Sequence, residues 1–311
     1  MSKYVFGVDI GGTTVKIGFL SEAGELLEKW EIKTRTADNG VNILPDVAKA
    51  IDDKIKEKGL TKDDIIGVGV GVPGPVDAEG IVHKAANLGW GEFDVDDTLS
   101  KLMGMKAKAG NDANVAALGE MWKGGGKGYD SIVMVTLGTG VGGGIIVDGK
   151  ILAGAKGGGG EIGHIHINDN ETKTCGCGNK GCLEQYASAT GISNIAIRKY
   201  AAFTGETVLK KSDLSAKAVF DGVKEGDALC KEIAKEFGEY LGKGLAIIGS
   251  VIDPEAFVIG GGVSKAGEVI FDYICEPYKK YVFRGARECK LLLASLGNDA
   301  GMYGAAKLVM D

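Results

Sequence analysis

The stretch that decides the fold is residues 4–32, which read YVFGVDIGGTTVKIGFLSEAGELLEKWEI. Three apolar segments are separated by the turn-forming runs GGTT and SEAGE, a pattern that predicts a three-stranded meander. A second copy of this layout occupies residues 131–155, SIVMVTLGTGVGGGIIVDGKILAGA. Such a glycine-rich hairpin, repeated at a long separation, indicates two lobes of related architecture. The alternative is a coincidence between two ordinary hairpins.

Helices are expected between and after the two meanders. Apolar residues at helical spacing predict a helix over residues 42–58, another that starts near the Asn111–Asp112 pair and a long one over residues 226–252. A further helix is predicted from Val263 onward. Strands followed by alternating helices in both halves indicate an α/β fold with helices packed on mixed sheets.

The boundary between the two lobes is placed near residue 110. Residues 1–110 are the predicted N-terminal α/β lobe, and a C-terminal helix at 298–311 is expected to return to it. Residues 111–297 are the predicted C-terminal α/β lobe. The length of 311 residues fits one or two domains.

Composition and charge exclude several classes of protein. The chain has 42 acidic and 36 basic side chains, a net charge of −6, and lacks a stripe of Lys and Arg. This argues against nucleic acid and anionic membranes as main partners. No apolar run approaches the roughly 20 residues that span a bilayer, and the N-terminus lacks the long apolar segment of a secretory signal. We therefore expect a cytoplasmic protein.

The 52 glycines concentrate in turns that suit phosphate binding. Backbone N–H groups of a tight Gly/Thr turn converge on an anion, although glycines also serve hairpin geometry alone. No G-x-x-x-x-G-K-[ST] motif occurs, and neither copy of G-x-G-x-x-G opens a helix, which argues against a P-loop and a dinucleotide fold. The candidate phosphate- and nucleotide-binding residues are Gly11, Gly12, Thr13, Thr14 and Lys16, then Gly138, Thr139 and Gly140, and finally Gly260, Gly261 and Gly262.

Three cysteines and one histidine form the strongest motif. Cys175, Cys177 and Cys182 follow His164, and this set of three thiolates and one imidazole is typical of structural zinc. His166 is a competing ligand. Four protein ligands leave no open coordination position, so a structural Zn²⁺ is predicted. The alternative is three reduced surface thiols.

Asp112 is the leading candidate for a general base. It lies in the sequence GNDAN at the start of a predicted helix, where Asn111 could hold a neighbouring hydroxyl. An ordinary helix cap is the competing interpretation. The triplet recurs as Asn298-Asp299-Ala300, so local sequence does not choose between the two aspartates. Candidates for binding sugar hydroxyls are Glu161, His164 and Glu184.

Nine ordered motifs, spread nearly end to end, resemble one protein family, the ROK group of sugar kinases and repressors. The motifs read GVDIGGTTVKIGFL, GVGVPGPVD, NLGWGEFDV, NDANVAALGEMWKGG, VTLGTGVGGGII, GGEIGHI, CGCGNKGCLE, VIGGGVSKAGE and LGNDAG. The resemblance implies a two-lobed actin-like, hexokinase-like (ribonuclease H-like) α/β fold with a mixed sheet in each lobe and a central cleft. It also implies phosphoryl transfer from Mg-ATP to the 6-hydroxyl of glucose, and a homodimer.

The resemblance also assigns roles to residues. Asp112 would be the general base, and Asp9 with the first glycine turn would meet phosphate and Mg²⁺. The second glycine turn would bind phosphate and the third cluster adenosine, while His164 and the three cysteines would hold zinc. The implied sugar-binding residues are Gly74, Asn87, Asn111, Glu161, His164 and Glu184.

Two alternatives stay open from the sequence. A kinase of N-acetylmannosamine, N-acetylglucosamine or fructose would share the same motifs. A sugar-responsive ROK regulator is the non-enzyme alternative, but such regulators carry a helix-turn-helix domain before the core. Here the first meander begins at residue 4, which favours the kinase.

Overall fold

The computed structural model describes residues 3–310. Several short 3-10 turns connect its strands and helices. The elements in chain order are β1 (Tyr4–Ile10), β2 (Thr14–Ser21), β3 (Leu26–Lys33), α1 (Ile43–Glu57), β4 (Ile65–Val72), β5 (Ile81–Val82), β6 (Phe93–Asp94), α2 (Val95–Met103), β7 (Ala107–Asn111), α3 (Asp112–Lys123), β8 (Ile132–Leu137), β9 (Val141–Val147), β10 (Lys150–Ile151), α4 (Glu184–Ala187), α5 (Ala189–Ala202), α6 (Ala216–Glu225), α7 (Ala228–Ile252), β11 (Ala256–Gly260), α8 (Phe271–Tyr281), β12 (Lys290–Leu293) and α9 (Ala300–Met310).

Two five-stranded mixed sheets repeat one strand order. The first sheet runs β3-β2-β1-β4-β7; β1 to β3 are antiparallel neighbours, and β4 lies parallel to β1 and β7. The second runs β10-β9-β8-β11-β12, with β9 and β10 antiparallel and β11 parallel to β8 and β12. Each sheet therefore has a meander at one side and parallel strands at the other. The predicted duplication is confirmed.

The chain separates into two compact units. Unit 1 comprises Met1–Asp130, Gly144–Gly160 and Leu296–Asp311, and unit 2 comprises Ser131–Gly143 and Glu161–Ser295. The sequence boundary near residue 110 puts α3 in the second lobe, whereas the structure groups α3 with unit 1. The reason is its packing against α9, in which a Cβ on Gly304 would lie 1.5 Å from the carbonyl oxygen of Val115. Only glycine allows the two helix backbones to approach so closely.

The first sheet is buried on both faces. Alternate residues of β1 point to opposite sides: Phe6 and Val8 belong to the larger apolar core with Val47 and other residues of α1 and α2. Val5 faces the other way and packs with Val309 of α9. The near-continuous apolar sequence of β1 and β4 follows from this two-sided burial. Across residues 3–310, every helix is too short or too polar to cross a bilayer.

Most predicted elements are confirmed, with two corrections. Helix α1 lies within the predicted range of residues 42–58, α7 within 226–252, and α9 within 298–311, whose last residue Asp311 is outside the described residues. The run GTGVGG over residues 138–143, which the sequence predicts as one turn between two strands, is a turn only over residues 138–140, because β9 already begins at Val141. The helix predicted from Val263 is instead a pair of 3-10 turns before α8, since Gly267 has a φ of 86° and interrupts the helix.

Candidate active site

The first glycine turn, residues 11–14, joins β1 to β2 in unit 1. Gly11 donates a backbone hydrogen bond to the Thr14 carbonyl, and Thr34, the residue after β3, holds the turn by donating its hydroxyl to the Gly11 carbonyl at 2.7 Å. Gly12 and Thr13 are exposed, so their polar groups are accessible. The turn is thus a rigid, open bend of the kind that receives an anion.

Asp9 and Lys16 flank this turn. Asp9 is half-buried near the end of β1, and burial raises the pKa of its carboxyl group, which the charge of Lys16 partly opposes. The Lys16 ammonium group donates to the Asn298 carbonyl at 3.2 Å. Asn87, predicted to bind sugar, is exposed, and its Cβ lies 3.8 Å from the position that a Cβ on Gly12 would take.

Asn111 and Asp112 lie at the start of α3, where the sequence left open a helix cap and a general base. Asn111 is the N-cap of α3: its side-chain oxygen accepts from the backbone N–H groups of Ala113 and Asn114 at 3.0 and 3.1 Å. Its amide nitrogen donates to the Gly74 carbonyl at 2.9 Å. Asp112 is the first helical residue, half-buried, and its Oδ1 accepts from Ala113 at 2.8 Å. The helix cap is therefore Asn111, and Asp112 lies one residue further on, in the first turn of α3.

In unit 2 the second glycine turn lies against Glu184. Glu184 Oε2 accepts from the backbone N–H of Val141 at 3.1 Å, and a Cβ on Gly140 would lie 2.0 Å from the same oxygen. The start of α5 holds the turn from another side, because Ala189 donates to the Gly138 carbonyl at 2.8 Å. Glu184 thus buttresses a predicted phosphate turn in addition to its predicted role toward sugar.

The predicted metal ligands come together in unit 2. The donor atoms of His164, Cys175, Cys177 and Cys182 all lie within 4.8 Å of one another. Cys175 Sγ is 3.7 Å from His164 Nδ1, and the sulfurs of Cys177 and Cys182 are 3.6 Å apart. A tetrahedral zinc with bonds of about 2.3 Å to sulfur and 2.0 Å to nitrogen gives ligand–ligand edges of about 3.5–3.8 Å. The donor set therefore fits zinc in both chemistry and spacing.

His166 does not take part in this cluster. It is exposed; its Nε2 lies 2.7 Å from Asp169 and its Nδ1 2.9 Å from the Lys180 carbonyl. The hydrogen bond to Asp169 raises the pKa of His166. In His164, by contrast, Nε2 lies 3.8 Å from a Glu161 carboxylate oxygen and Nδ1 lies 3.7 Å from Cys175 Sγ, so the two ring nitrogens face different residues. The structure brings His164, not His166, to the cysteines.

The third glycine cluster, residues 260–262, packs against the start of the second glycine turn, residues 138–140. Gly261 has a φ of 84°, and a Cβ there would lie 2.6 Å from backbone atoms of Leu137, the residue just before Gly138. Beside both clusters is a cavity of about 540 Å³ with Thr139 and Gly262 in its wall. Sequence reasoning missed most of the rest of this wall, which α5, α6 with its N-cap Ser215, and the 3-10 turn after Gly262 supply; it includes Thr190, Ser193, Ser215, Phe220, Lys224 and Lys265. Apart from Lys265, these residues carry no local motif, since only the packing of separate segments brings them together.

The comparison with known proteins decides the family. The model of the ROK family matches residues 5–311. The chain belongs to the ROK family. A glucokinase of Halalkalibacterium halodurans is 41% identical over 99% of this chain and 95% of that protein. An N-acetyl-D-glucosamine kinase of Haemophilus influenzae is 31% identical over 98% of this chain and 99% of that protein.

A solved structure extends this relation to the fold. The ROK family glucokinase from Streptomyces griseus, in complex with glucose and AMPPNP, is 33% identical with a TM-score of 0.71, over 98% of each chain. This ROK protein therefore has the actin-like, hexokinase-like α/β fold, with a mixed sheet in each of two parts. Its predicted site residues fall into two groups, one in each unit. Unit 1 contains Asp9, the first glycine turn, Lys16, Gly74, Asn87, Asn111 and Asp112; unit 2 contains the other two glycine clusters, Glu161, Glu184 and the His/Cys cluster.

Proposed function

We propose that this ROK protein is an ATP-dependent glucokinase that transfers the γ-phosphoryl group of ATP to the 6-hydroxyl of glucose. The 41% identity to a glucokinase over 99% of this chain supports the activity. The observation that carries the donor assignment is the 540 Å³ cavity, which has residues of two predicted nucleotide-binding clusters in its wall. A cavity of this size suits a nucleoside.

Asp112 is the proposed base. As the P–O bond to the sugar forms, its carboxylate accepts the 6-hydroxyl proton, and the bond between the γ-phosphorus and the bridging oxygen breaks to release ADP. Asn111 fixes the start of α3 through its cap and keeps one further amide hydrogen for a sugar oxygen. Asp112 needs this support because a misplaced base loses most of its effect.

Unit 2 supplies further hydroxyl-binding groups in this proposal. Glu161 is exposed, and the carboxylate oxygens of Glu184 each have lone pairs beyond those used by Val141 and Cys175. His164 positions sugar through the nitrogen that faces Glu161 and does not act as a base. Gly74 and Asn87 complete the proposed sugar-binding set.

The triphosphate is assigned to the glycine turns. Backbone N–H groups and threonine hydroxyls of residues 11–14 and 138–140 donate to phosphate oxygens, with Lys16 nearby. Residues 260–262 lie by the cavity that is assigned to adenosine. The carboxylate of Asp9 would hold Mg²⁺, which when bound with ATP neutralises the charge that develops on the phosphates. Exclusion of water by bound substrates protects ATP from hydrolysis.

His164, Cys175, Cys177 and Cys182 would hold a structural zinc ion. Glu184 follows Cys182 by two residues at the start of α4, so a fixed cysteine loop also fixes this carboxylate. We place the enzyme in the cytoplasm, where ATP is produced, and propose a homodimer. Neither nucleic acid nor membrane is a proposed partner.

An assay of ADP release over a panel of hexoses tests the activity. We expect turnover with glucose to exceed that with fructose and with the 2-acetamido sugars. A preference for N-acetylglucosamine would instead favour the second candidate function, which the Haemophilus influenzae relative supports. No turnover with any hexose would contradict both. Zinc measured on the same sample should reach one ion per chain.

The chain provides a matched control for the base. Asp112→Asn should lower kcat by about 10²- to 10⁴-fold, because general-base catalysis contributes a factor of this size. Asp299→Asn changes the equivalent residue of the repeated triplet and removes only an ion pair with Lys29, so its kcat should stay near that of the wild type. The opposite result would assign the base to Asp299.

A further inference from the structure

The loop that carries the three cysteines has little regular structure. Residues 171–182 fold through turns and two isolated β-bridges, Thr174–Lys180 and His166–Cys182. A segment with so few ladder hydrogen bonds depends on other contacts for a fixed shape. A metal site requires that shape, because its ligands must be held close to their coordination geometry by the residues around them. The contacts that hold this loop therefore bear directly on the proposed zinc site.

Gln185 joins the two arms of the loop. The backbone N–H of Cys182 donates to Gln185 Oε1 at 3.0 Å, and Gln185 Nε2 donates to the Lys173 carbonyl at 3.0 Å. These partners fix the orientation of the amide, because the reverse orientation would face a donor with a donor and an acceptor with an acceptor. One side chain thus ties the ligand Cys182 to the segment two residues before the ligand Cys175.

The bond to Cys182 is the more important of the two. Cys182 is only 1% exposed, so its backbone N–H has little access to water once the bond is lost. Lys173 is an exposed residue, and water can replace Gln185 at its carbonyl. A buried donor without a partner is costly, whereas an acceptor that water reaches is not. Loss of Gln185 Oε1 should therefore displace the backbone of a zinc ligand.

Gln185 also belongs to α4, the single helical turn that begins with Glu184. So short a helix is not stable by itself, because its few hydrogen bonds do not offset the ordering of the chain. The two bonds of Gln185 anchor this turn on the cysteine loop, and so does the Tyr186 hydroxyl, which donates to Glu171 at 2.5 Å. The loop and α4 thus stabilise each other.

We propose that Gln185 is a positioning residue of the zinc site, whose two hydrogen bonds keep the arms with Cys175 and Cys182 at coordination distance. It is not itself a ligand, since three thiolates and one imidazole already supply four donor atoms. Loss of hydrogen bonds that orient metal ligands typically lowers metal affinity about 10- to 100-fold. The inference rests on the proposed zinc site and not on the kinase activity.

Transfer of zinc from the zinc-loaded chain to graded concentrations of a chromophoric chelator tests the proposal. Gln185→Met keeps an unbranched side chain of similar length and removes both hydrogen bonds, so it should lower zinc affinity about 10- to 100-fold. Ser250→Ala is the matched control, because Ser250 Oγ likewise accepts from one backbone N–H, of Phe283 at 3.1 Å, and donates to one carbonyl, of Ala246 at 2.8 Å. Its zinc affinity should equal that of the wild type.

Gln185→Glu separates the two bonds. The carboxylate keeps an acceptor for Cys182 and loses the donor to Lys173, so its zinc affinity should lie closer to that of the wild type than to that of Gln185→Met. Wild-type affinity in Gln185→Met, or equal losses in Gln185→Met and either of the other two variants, would overturn the proposal. A wild-type chain that binds no zinc would overturn the zinc site as well. ADP release is measured separately, so none of these results decides the kinase assignment.

Discussion

Gly140→Ala is the sharpest test of the turn in unit 2. Gly140 does not have a positive φ, so its backbone conformation accepts alanine, and the three atoms nearest to the new Cβ all belong to Glu184. The new Cβ would lie 2.0 Å from Glu184 Oε2. Because real contacts rarely fall below 3.0 Å, the carboxylate must move by about 1 Å or more. That displacement breaks its 3.1 Å hydrogen bond from Val141.

The size of the effect follows from the bond that is lost. A hydrogen bond to a charged group contributes about 1.5–3 kcal/mol, which sets the upper limit for the loss in unfolding free energy. In the proposed sugar site, the same displacement of the Glu184 carboxylate should cost a similar amount of binding energy. At about 1.4 kcal/mol per factor of ten, kcat/KM for glucose should fall about 10- to 100-fold.

Coupled ADP release and thermal unfolding measure the two effects. The control is Gly158→Ala, where a Cβ would have no atom within 4 Å, and its kcat/KM should equal that of the wild type. Glu184→Gln keeps the size of the side chain but removes the charge of the hydrogen-bond acceptor. Adding Gly140→Ala to Glu184→Gln should therefore lower kcat/KM less than Gly140→Ala does in the wild type. Full activity of Gly140→Ala, or strict additivity with Glu184→Gln, would refute the reasoning.

Three further predictions concern other parts of the molecule. Asp9→Asn should raise the melting temperature at pH 7 yet lower ATP turnover. Because burial raises the pKa of Asp9, the protein loses stability as the pH rises through the folded pKa and the carboxyl group ionises. The gain in melting temperature should therefore vanish below the ordinary Asp pKa. Cys182→Ser should lower zinc content to near zero by metal analysis, whereas His166→Ala should keep one zinc per chain. Tyr186→Phe should destabilise the chain by about 1.5–3 kcal/mol in urea unfolding, since its hydroxyl donates to Glu171 at 2.5 Å; an unchanged midpoint would contradict this.

The sequence predicted those features that short segments determine. The meander over residues 4–32 and the His164–Cys182 cluster lie within about 30 residues each, and both formed as expected. Glycine turns and ligand spacings are local signals, because chain connectivity alone brings their members together. Glu184 also belongs to this class, since it follows Cys182 by only two residues along the chain.

Features that depend on packing between distant segments were not predictable in the same way. The walls of the 540 Å³ cavity come from α5, α6 and the third glycine cluster, which are far apart in sequence. The grouping of α3 with unit 1 depends on contact with α9, nearly 200 residues later. The helix expected after Val263 failed for a local reason, the positive φ of Gly267, which the sequence pattern does not reveal.

The two Asn-Asp-Ala triplets show how tertiary structure separates identical local sequences. Both precede a helix, yet Asn111 caps α3 directly, whereas Asn298 and Asp299 lie in a 3-10 turn before α9. Asp299 is then held by Lys29 at 2.7 Å, from a strand about 270 residues away. A carboxylate oxygen that is engaged by a lysine is less available to a substrate hydroxyl. The paired Asp112→Asn and Asp299→Asn variants are therefore more informative than either alone, because they compare the two triplets directly.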